Sequence, residues 1–252
     1  GDSLMTTKAV SAGTAGWLVN LAEELALNKE VELHIITHLA FVEESQTIIK
    51  DNIHFHIIKY HFPILKRGFP YYFRWDTFTA YKPFVKEAVA LIDSIKPDLV
   101  HAHGTEGAYA LAASKLKKYP VIISIQGIIH EIFKTQKSSF LYFQRKLEAA
   151  VIESGTYFGC RTIWDKAFVK SINPKAQIQH MPEAINAVFF KSSWSGFSSN
   201  RIVILGTIIK RKGQEDVIRI LPDMLKKVPD MKLTLIGTGR PEYIQFLKKL
   251  AA

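Results

Sequence analysis

Cysteine is nearly absent from the sequence: Cys160 stands alone among 252 residues. One thiol closes no disulfide within the chain and is no metal site by itself, so the composition suits a reducing compartment, and the cytoplasm is the expected location. Long apolar runs are missing as well. A membrane-crossing helix needs about 18 or more consecutive apolar residues, whereas stretches such as residues 121–125 (VIISI) are only strand-sized. No basic-then-apolar leader opens the chain and residue 1 is Gly1, so no signal peptide is expected and the chain is read as starting inside a longer one. The signatures HExxH, CxxC, GxSxG and GxxxxGK(S/T) do not occur, which leaves zinc-protease, dithiol-redox, serine-hydrolase and P-loop chemistry without their residues. Repeats and low-complexity tracts are lacking too, which excludes solenoids and fibres. Acidic residues are the scarcer charge, 23 against 33 Lys and Arg, for a net charge of +10. The imbalance is concentrated, since residues 191–252 hold 12 basic and 5 acidic side chains and so carry +7 of that total. Such asymmetry points to a phosphate-bearing partner, whether a nucleotide, a nucleic acid or an anionic membrane surface.

What the chain does contain is alternation. Hydrophobic residues make up 48% and charged residues 22%, the balance of a globular protein. Residues 30–38 (EVELHIITH), 53–60 (IHFHIIKY), 98–103 (DLVHAH), 121–126 (VIISIQ), 201–206 (RIVILG) and 232–237 (KLTLIG) are short, rich in β-branched side chains and bounded by turn formers, and read as strands. Leu18, Leu21, Ala22 and Leu25 keep helical spacing, as do Phe84, Val85, Ala88, Val89 and Ile92, and later Val217, Ile218, Leu221, Met224, Leu225 and Val228. Strand and helix in turn predict an α/β fold of parallel sheets covered on both faces and built from right-handed crossovers. The polar, turn-forming stretch 191–200 (KSSWSGFSSN) marks the expected boundary between an N-terminal Rossmann-like domain, residues 1–195, and a partial second one, residues 196–252. The second has strand, helix, strand and the start of a helix, too little for a doubly wound domain, so a chain cut short at its C-terminus is expected. Residues 1–10 make a poor strand ahead of the glycine turn at 13–16, and the first strand is expected to be lacking as well.

Two turns suit an anion. Gly13, Thr14, Ala15, Gly16 and Trp17 lead into a helix whose unpaired amides and dipole favour negative charge; a tight turn without a ligand would use the same residues. Residues 206–213 (GTIIKRKG) join a strand to a helix beginning near Gln214. They place Lys210, Arg211 and Lys212 beside the carboxyl end of a strand, where open α/β sheets bind ligands; a solvated surface loop is the plainer alternative. His101 and His103 are read as alternating along a strand end and so facing opposite sides, which rules them out as a metal pair. His103, followed by residues 104–107 (GTEG), is the better placed to face the crevice, a structural role being the alternative. Glu106 reads as a residue favouring a helix N-terminus. Gly237 and Gly239 make only a partial GxG.

Taken together these residues resemble a family 4 glycosyltransferase of the GT-B type, in which two Rossmann-like domains face each other across a cleft. Residues 16–26 (GWLVNLAEELA) are similar to that family's glycine turn and first helix, and 97–104 (PDLVHAHG) and 120–127 (PVIISIQG) to two of its strand-loop segments. Residues 206–213 followed by 233–239 (LTLIGTG) are similar to the start of its donor-binding domain. Residues 163–190, entered through Arg161, Thr162, Trp164 and Asp165, resemble bacterial members that assemble surface polysaccharides. The resemblance implies transfer of a sugar, with retention, from a nucleotide diphosphate sugar to an acceptor hydroxyl, with no cofactor and no metal. It makes Gly206, Thr207, Arg211, Lys212 and Gly213 the donor-binding set, Lys212 touching the diphosphate, and Gly16, Trp17, His103 and Gln126 the cleft residues; no catalytic residue is assigned. Three positions depart from the family. Thr207 stands where Arg is frequent, with Lys210 or Arg211 available to compensate; Gln126 stands where His is frequent, and can hydrogen-bond but not titrate; Ala15 stands where a second Gly is common. The paired-glutamate segment that holds the donor sugar and ribose would lie beyond Ala252.

The expected partners are a nucleotide sugar and a carbohydrate or lipid-linked acceptor. Nucleic acid is not expected, because strand-end lysines without an aromatic stacking platform fit a small phosphate ligand better. A basic nucleic-acid-binding module and a non-catalytic α/β fragment are the rival readings. Residues 61–75 (HFPILKRGFPYYFRW) interleave aromatics with Lys66, Arg67 and Arg74. That mixture suits the headgroup zone and leads to an expected peripheral contact with the inner face of the membrane; folding of the aromatics onto the core is the alternative.

Overall fold

A computed structural model describes residues 16–39, 42–59, 75–191, 193 and 200–251. The chain divides into two compact units, Gly1–Phe189 and Phe190–Ala252.

The first unit opens on α1 (Gly16–Leu27), then β1 (Leu33–Leu39), β2 (Gln46–Lys50) and β3 (Ile53–Lys59), which form a sheet of order β1-β3-β2. β1 and β3 are parallel, from Leu33 opposite Ile53 to Leu39 opposite Lys59. β2 is antiparallel to β3, a departure from the all-parallel expectation. The turn between them uses Asp51 and Asn52, both left-handed at φ 51° and 60°, and two successive residues of that kind make the tight turn whose twist matches a hairpin. Asp and Asn tolerate the conformation because their short polar side chains bond locally. No apolar alternation announces β2, whose five residues are all exposed.

There follow α2 (Trp75–Phe78), α3 (Lys82–Ile95), β4 (Val100–His103), α4 (Ala108–Lys115), β5 (Val121–Ser124), α5 (Ile129–Thr135), α6 (Ser139–Ser154), β6 (Tyr157–Cys160), α7 (Ile163–Ile172), β7 (Gln177–His180) and α8 (Val188–Lys191). Strands β4 to β7 make a second sheet in sequential order with every pair parallel. Each strand is reached through a helix, as parallel pairing requires. α3 buries Phe84, Ala88 and Ile92, one residue per turn, and stops where Lys96 turns left-handed at φ 56°. α4 buries five residues, four of them alanines, whose small side chains let the helix lie close to its neighbours. Ile123, Val151, Ile152, Phe158 and Val169 form the centre of the core and are almost wholly withdrawn from solvent. Burial of each such side chain contributes roughly 1.5–3 kcal/mol.

The second unit contains β8 (Arg201–Leu205), a 3-10 turn at Lys210–Lys212, α9 (Gln214–Lys227), β9 (Lys232–Ile236) and α10 (Pro241–Ala251). β8 and β9 are parallel, with Arg201 opposite Lys232. Burial alternates along both strands; the inward residues Leu233 and Leu235 pack with Ile208, Ile218 and Leu247. Val203, Leu205 and Ile236 are exposed, so the covering on both faces expected from the sequence is not seen here. No helix among the described residues is long and apolar enough to cross a membrane. Residues 61–74 of the aromatic and basic stretch lie outside the described residues, as do residues 13–15 of the glycine turn.

Candidate functional site

In the first unit, predicted residues gather at the carboxyl ends of β4 and β5. His103 is the last residue of β4, and Gln126 lies two residues past β5. Trp17, in the first turn of α1, leans on His103 with ring centroids 5.1 Å apart. Gly16 starts α1, and a methyl group placed on it would meet nothing within 4 Å. The Gln126 Cβ lies beside Gly104, 3.6 Å from where a side chain on that glycine would begin.

His101 and His103 are on one face of β4, not on opposite faces: their ring centroids are 3.8 Å apart. The physical reason is the strand period of two, which turns successive residues to opposite sides and residues two apart to the same side. The His101 Nε2 pairs with the Ser124 Oγ at 2.7 Å. The Nδ1 of His103 is buried and has no hydrogen-bond partner among the described residues. Burial, together with the neighbouring His101, pushes the His103 pKa down to about 4, so at neutral pH this ring is uncharged.

Two carboxylates, a half-buried one on Glu106 and a buried one on Glu148, neither assigned a place in the site by the sequence reading, set the shape of this rim. The Glu106 carboxylate wedges between Gly104 and Gly127: a Cβ on Gly104 would fall 2.2 Å from its Oε2, and one on Gly127 would fall 2.6 Å from its Oε1. Gly104 also has φ +81°, so both its backbone and its neighbour call for glycine. Burial raises the Glu106 pKa and the charge of Glu148 raises it further, while amide hydrogen bonds, including one from Gly127, oppose the shift. Glu148, from α6, is 1% exposed. It accepts hydrogen bonds from the Thr105 hydroxyl at 2.9 Å and from the amides of Ile129 and His130 at 3.0 and 2.9 Å. One side chain thus holds the loop after β4 and the first turn of α5 in place. Gln144, one turn earlier on α6, donates to the carbonyl of Glu106. Arg161, just past β6, donates to the Gln126 carbonyl and pairs with Glu183. Asp165 caps the start of α7 by accepting from the amides of Arg161 and Thr162. Burial would raise its pKa, but these bonds outweigh burial and hold it below the usual range.

In the second unit, residues 206–213 form a compact loop between β8 and α9. Its start is locked to the end of β9 and the loop that follows: the Gly206 amide donates to the Ile236 carbonyl at 2.9 Å, and the Ile208 amide to the Thr238 carbonyl at 2.7 Å. Gly237, with φ +156°, lies so close to Gly206 that an added Cβ would fall 1.9 Å from the Gly206 carbonyl oxygen. At the other end, Gly213 is left-handed at φ 75° and opens α9. Gln214, 1% exposed, reaches back to donate to the Thr207 carbonyl at 3.0 Å, while its Oε1 is buried without a partner among the described residues. Sequence reasoning missed this clamp, because a Gln at a helix start looks like a solvated one. Thr207, Lys210, Arg211 and Lys212 are all exposed, with the three cations on successive positions of the 3-10 turn. Arg240, also exposed, directly precedes α10. Fixed backbone, a helix start and clustered cations together can hold a phosphate-bearing ligand.

Comparison with known proteins adds a family. The model of a family described as glycosyl transferase 4-like matches residues 9–158. A GDP-mannose-dependent alpha-(1-6)-phosphatidylinositol monomannoside mannosyltransferase of Mycolicibacterium smegmatis is 27% identical over 95 residues, covering 34% of this chain and 24% of that enzyme. Among solved structures, an apo structure of OtsA has a TM-score of 0.56 at 13% identity, covering 95% of this chain and 65% of the other. A structure described as trehalose-6-phosphate from E. coli bound with UDP-2-fluoro glucose has a TM-score of 0.57 at 13% identity, with the same coverage. The chain therefore spans about a quarter of the curated relative and less than two thirds of either solved chain. At 13% identity the structural likeness establishes the fold: α/β with parallel sheets, Rossmann-like, of the GT-B type.

Proposed function

Because the chain belongs to the glycosyl transferase 4-like family, we propose that it serves the transfer of a sugar from a nucleotide diphosphate sugar to an acceptor hydroxyl. The observation that carries this reading is the 206–213 loop, which sets Lys210, Arg211 and Lys212 on one exposed turn at the start of α9. When a glycosidic bond to a diphosphate breaks, negative charge grows on the departing oxygen. Donors already fixed in place stabilise that charge more in the transition state than in the bound ground state, and this difference is what accelerates a reaction. Lys212 is the proposed diphosphate contact, and Lys210 or Arg211 stands in for the Arg absent at Thr207. These cations supply the positive charge in this scheme, which calls for no metal.

In the first unit the uncharged His103 ring and the Gln126 amide offer hydrogen bonds to sugar hydroxyls, with Trp17 fixing the His103 ring from one side. A neutral imidazole presents one donor and one acceptor, which suits a hydroxyl better than an imidazolium would. We extend the proposal to retention at the anomeric carbon, to a carbohydrate or lipid-linked acceptor, and to a peripheral contact with the inner membrane face through residues 61–75. The aromatics and cations of that stretch support the last point, and the name of the mannosyltransferase relative, with its phosphatidylinositol-based acceptor, is in keeping with it.

Isothermal calorimetry with UDP, GDP and the corresponding monophosphates tests the assignment. The diphosphates should bind the tighter. Lys212→Ala should weaken them by about 10- to 150-fold, the equivalent of one charge-assisted contact of about 1.5–3 kcal/mol, with thermal unfolding unchanged because an exposed loop cation adds little to stability. Equal diphosphate affinity for variant and wild type would remove Lys212 from the site.

A further inference from the structure

A separate cluster of chemistry-bearing side chains sits at the beginning of the β1/β3 pair. The parallel register puts His34 opposite His54 and Ile36 opposite His56, and residues two apart share a face, so His34, His54 and His56 stand on one side of the sheet. The ring of His34 is stacked on both partners, with centroids 4.5 Å from His54 and 5.2 Å from His56. Glu32, two residues before His34, reaches the same face: its Oε1 lies 3.1 Å from His34 Nε2 and 3.7 Å from His54 Nε2. We propose that Glu32, His34 and His54 form a binding site for a zinc-class divalent cation, with His56 as the residue that positions His34.

One donor atom from each of the three residues lies within 4.8 Å of the other two. Around a tetrahedral zinc with bonds of about 2.0–2.1 Å, ligand atoms are about 3.3 Å apart, so the two contacts of Glu32 already bracket the required spacing. Imidazole with carboxylate is a donor set for borderline cations rather than for magnesium or calcium, which prefer oxygen alone. The fourth position is left to water or an external ligand. The histidines are largely covered, at 20% and 26% side-chain exposure, while Glu32 is 72% exposed; the carboxylate closes the site from its solvent side.

The second layer distinguishes this cluster from side chains meeting by chance at a surface. His34 Nδ1 lies 2.9 Å from His56 Nε2, and His56 Nδ1 lies 2.8 Å from the Thr47 hydroxyl on β2. This relay has two consistent directions. Without a cation, Thr47 donates to His56, His56 Nε2–H donates to His34, and His34 Nε2–H donates to Glu32. With a cation on His34 Nε2, each proton sits on the other nitrogen: His34 Nδ1–H donates to His56, and His56 Nδ1–H donates to Thr47. The rings hold the same number of protons in both states, and in the second His34 is locked in the tautomer that coordination requires.

The test is calorimetric titration of the chelator-stripped chain with Zn²⁺, alongside Co²⁺ followed by its visible absorption. One ion per chain is expected to bind, and Mg²⁺ is expected not to. Glu32→Gln and His54→Gln should each lower affinity by at least about 10-fold, and His56→Gln by about 10- to 100-fold, the effect of losing an outer-shell partner. Glu32 is exposed, so its variant reports on the site without threatening the fold, and thermal unfolding of each metal-free variant checks the rest. Absence of saturable binding up to millimolar Zn²⁺, or equal affinity in wild type, Glu32→Gln and His54→Gln, would overturn the assignment.

Discussion

Replacing Glu148 by Ala should loosen the first unit's rim and cost more stability than any exposed substitution. The carboxylate satisfies three donors, the Thr105 hydroxyl and the amides of Ile129 and His130. Each buried donor left without a partner costs about 1–3 kcal/mol. Against that sum stands the relief of a buried carboxylate whose pKa is already raised, chiefly by burial. The net loss, as for one partner removed from a buried charged network, is about 3–5 kcal/mol. With roughly 2–4 °C lost per kcal/mol in a unit of this size, a fall of about 10 °C in the first unit's melting temperature is expected. Hydrogen exchange provides the local readout, since the Ile129 and His130 amides should lose protection while those of α9 keep theirs. Glu148→Gln keeps the shape and an acceptor oxygen, and should lose less. The pH dependence carries a sign as well. The folded-state pKa of Glu148 is raised above its ordinary 4.5, so the unfolded chain ionises first, and wild-type stability falls as pH rises from 4.5 through the folded value. Glu148→Gln lacks this slope, so its deficit should narrow across that window. A loss below about 1 kcal/mol for Glu148→Ala, or unchanged protection of the two amides, would refute the account.

Gly237→Ala places a Cβ 1.9 Å from a backbone oxygen at φ +156°, so the second unit should lose at least about 2 kcal/mol in urea unfolding; a neutral result would mean that the two loops are not packed as described. His103 has a folded pKa of about 4 against an ordinary 6.5, so its contribution is intact above 6.5 and disappears as pH falls toward 4, by up to about 3 kcal/mol before discounting for partial exposure. His103→Gln should flatten the stability profile in that window, and an unaltered profile would count against a neutral buried ring. Burial pushes the Cys160 thiol up to about 11, so alkylation by iodoacetamide at pH 8 should proceed only after denaturant is added; rapid labelling of the native chain would contradict the burial.

Much of the scaffold was legible in the sequence, because the strongest signals came from short apolar runs bounded by turn formers, as in β8 and β9, and from one-sided helices such as α3 and α9. The strands that escaped carry no such signal. β2 is exposed throughout, β7 nearly so, and β6 is four residues long with a glycine in it. Within the rims, the cations at Lys210–Lys212 could be noticed from their place between strand and helix. The residues that hold the rims could not: Glu148 meets partners 18, 19 and 43 residues away, and Gln214 acts through an amide that folds back into the loop. His101 and His103 went wrong for a simpler reason, since a side-chain period of two was applied as though it were four.

The locked loop at the end of β8 has a consequence for the pace and entropy of recognition. Gly206 and Ile208 are tied through their amides to the end of β9 and the loop that follows, and Gln214 ties Thr207 to α9, so residues 206–208 have little conformational freedom left to surrender when an anion arrives. What must still be ordered is the side chains of Lys210, Arg211 and Lys212. Ordering a rotamer-rich side chain costs about 0.5–1.5 kcal/mol, far less than ordering a loop of eight residues. Association should then be governed by electrostatic attraction and slow with rising salt, with no kinetic phase reporting a slow rearrangement of the loop.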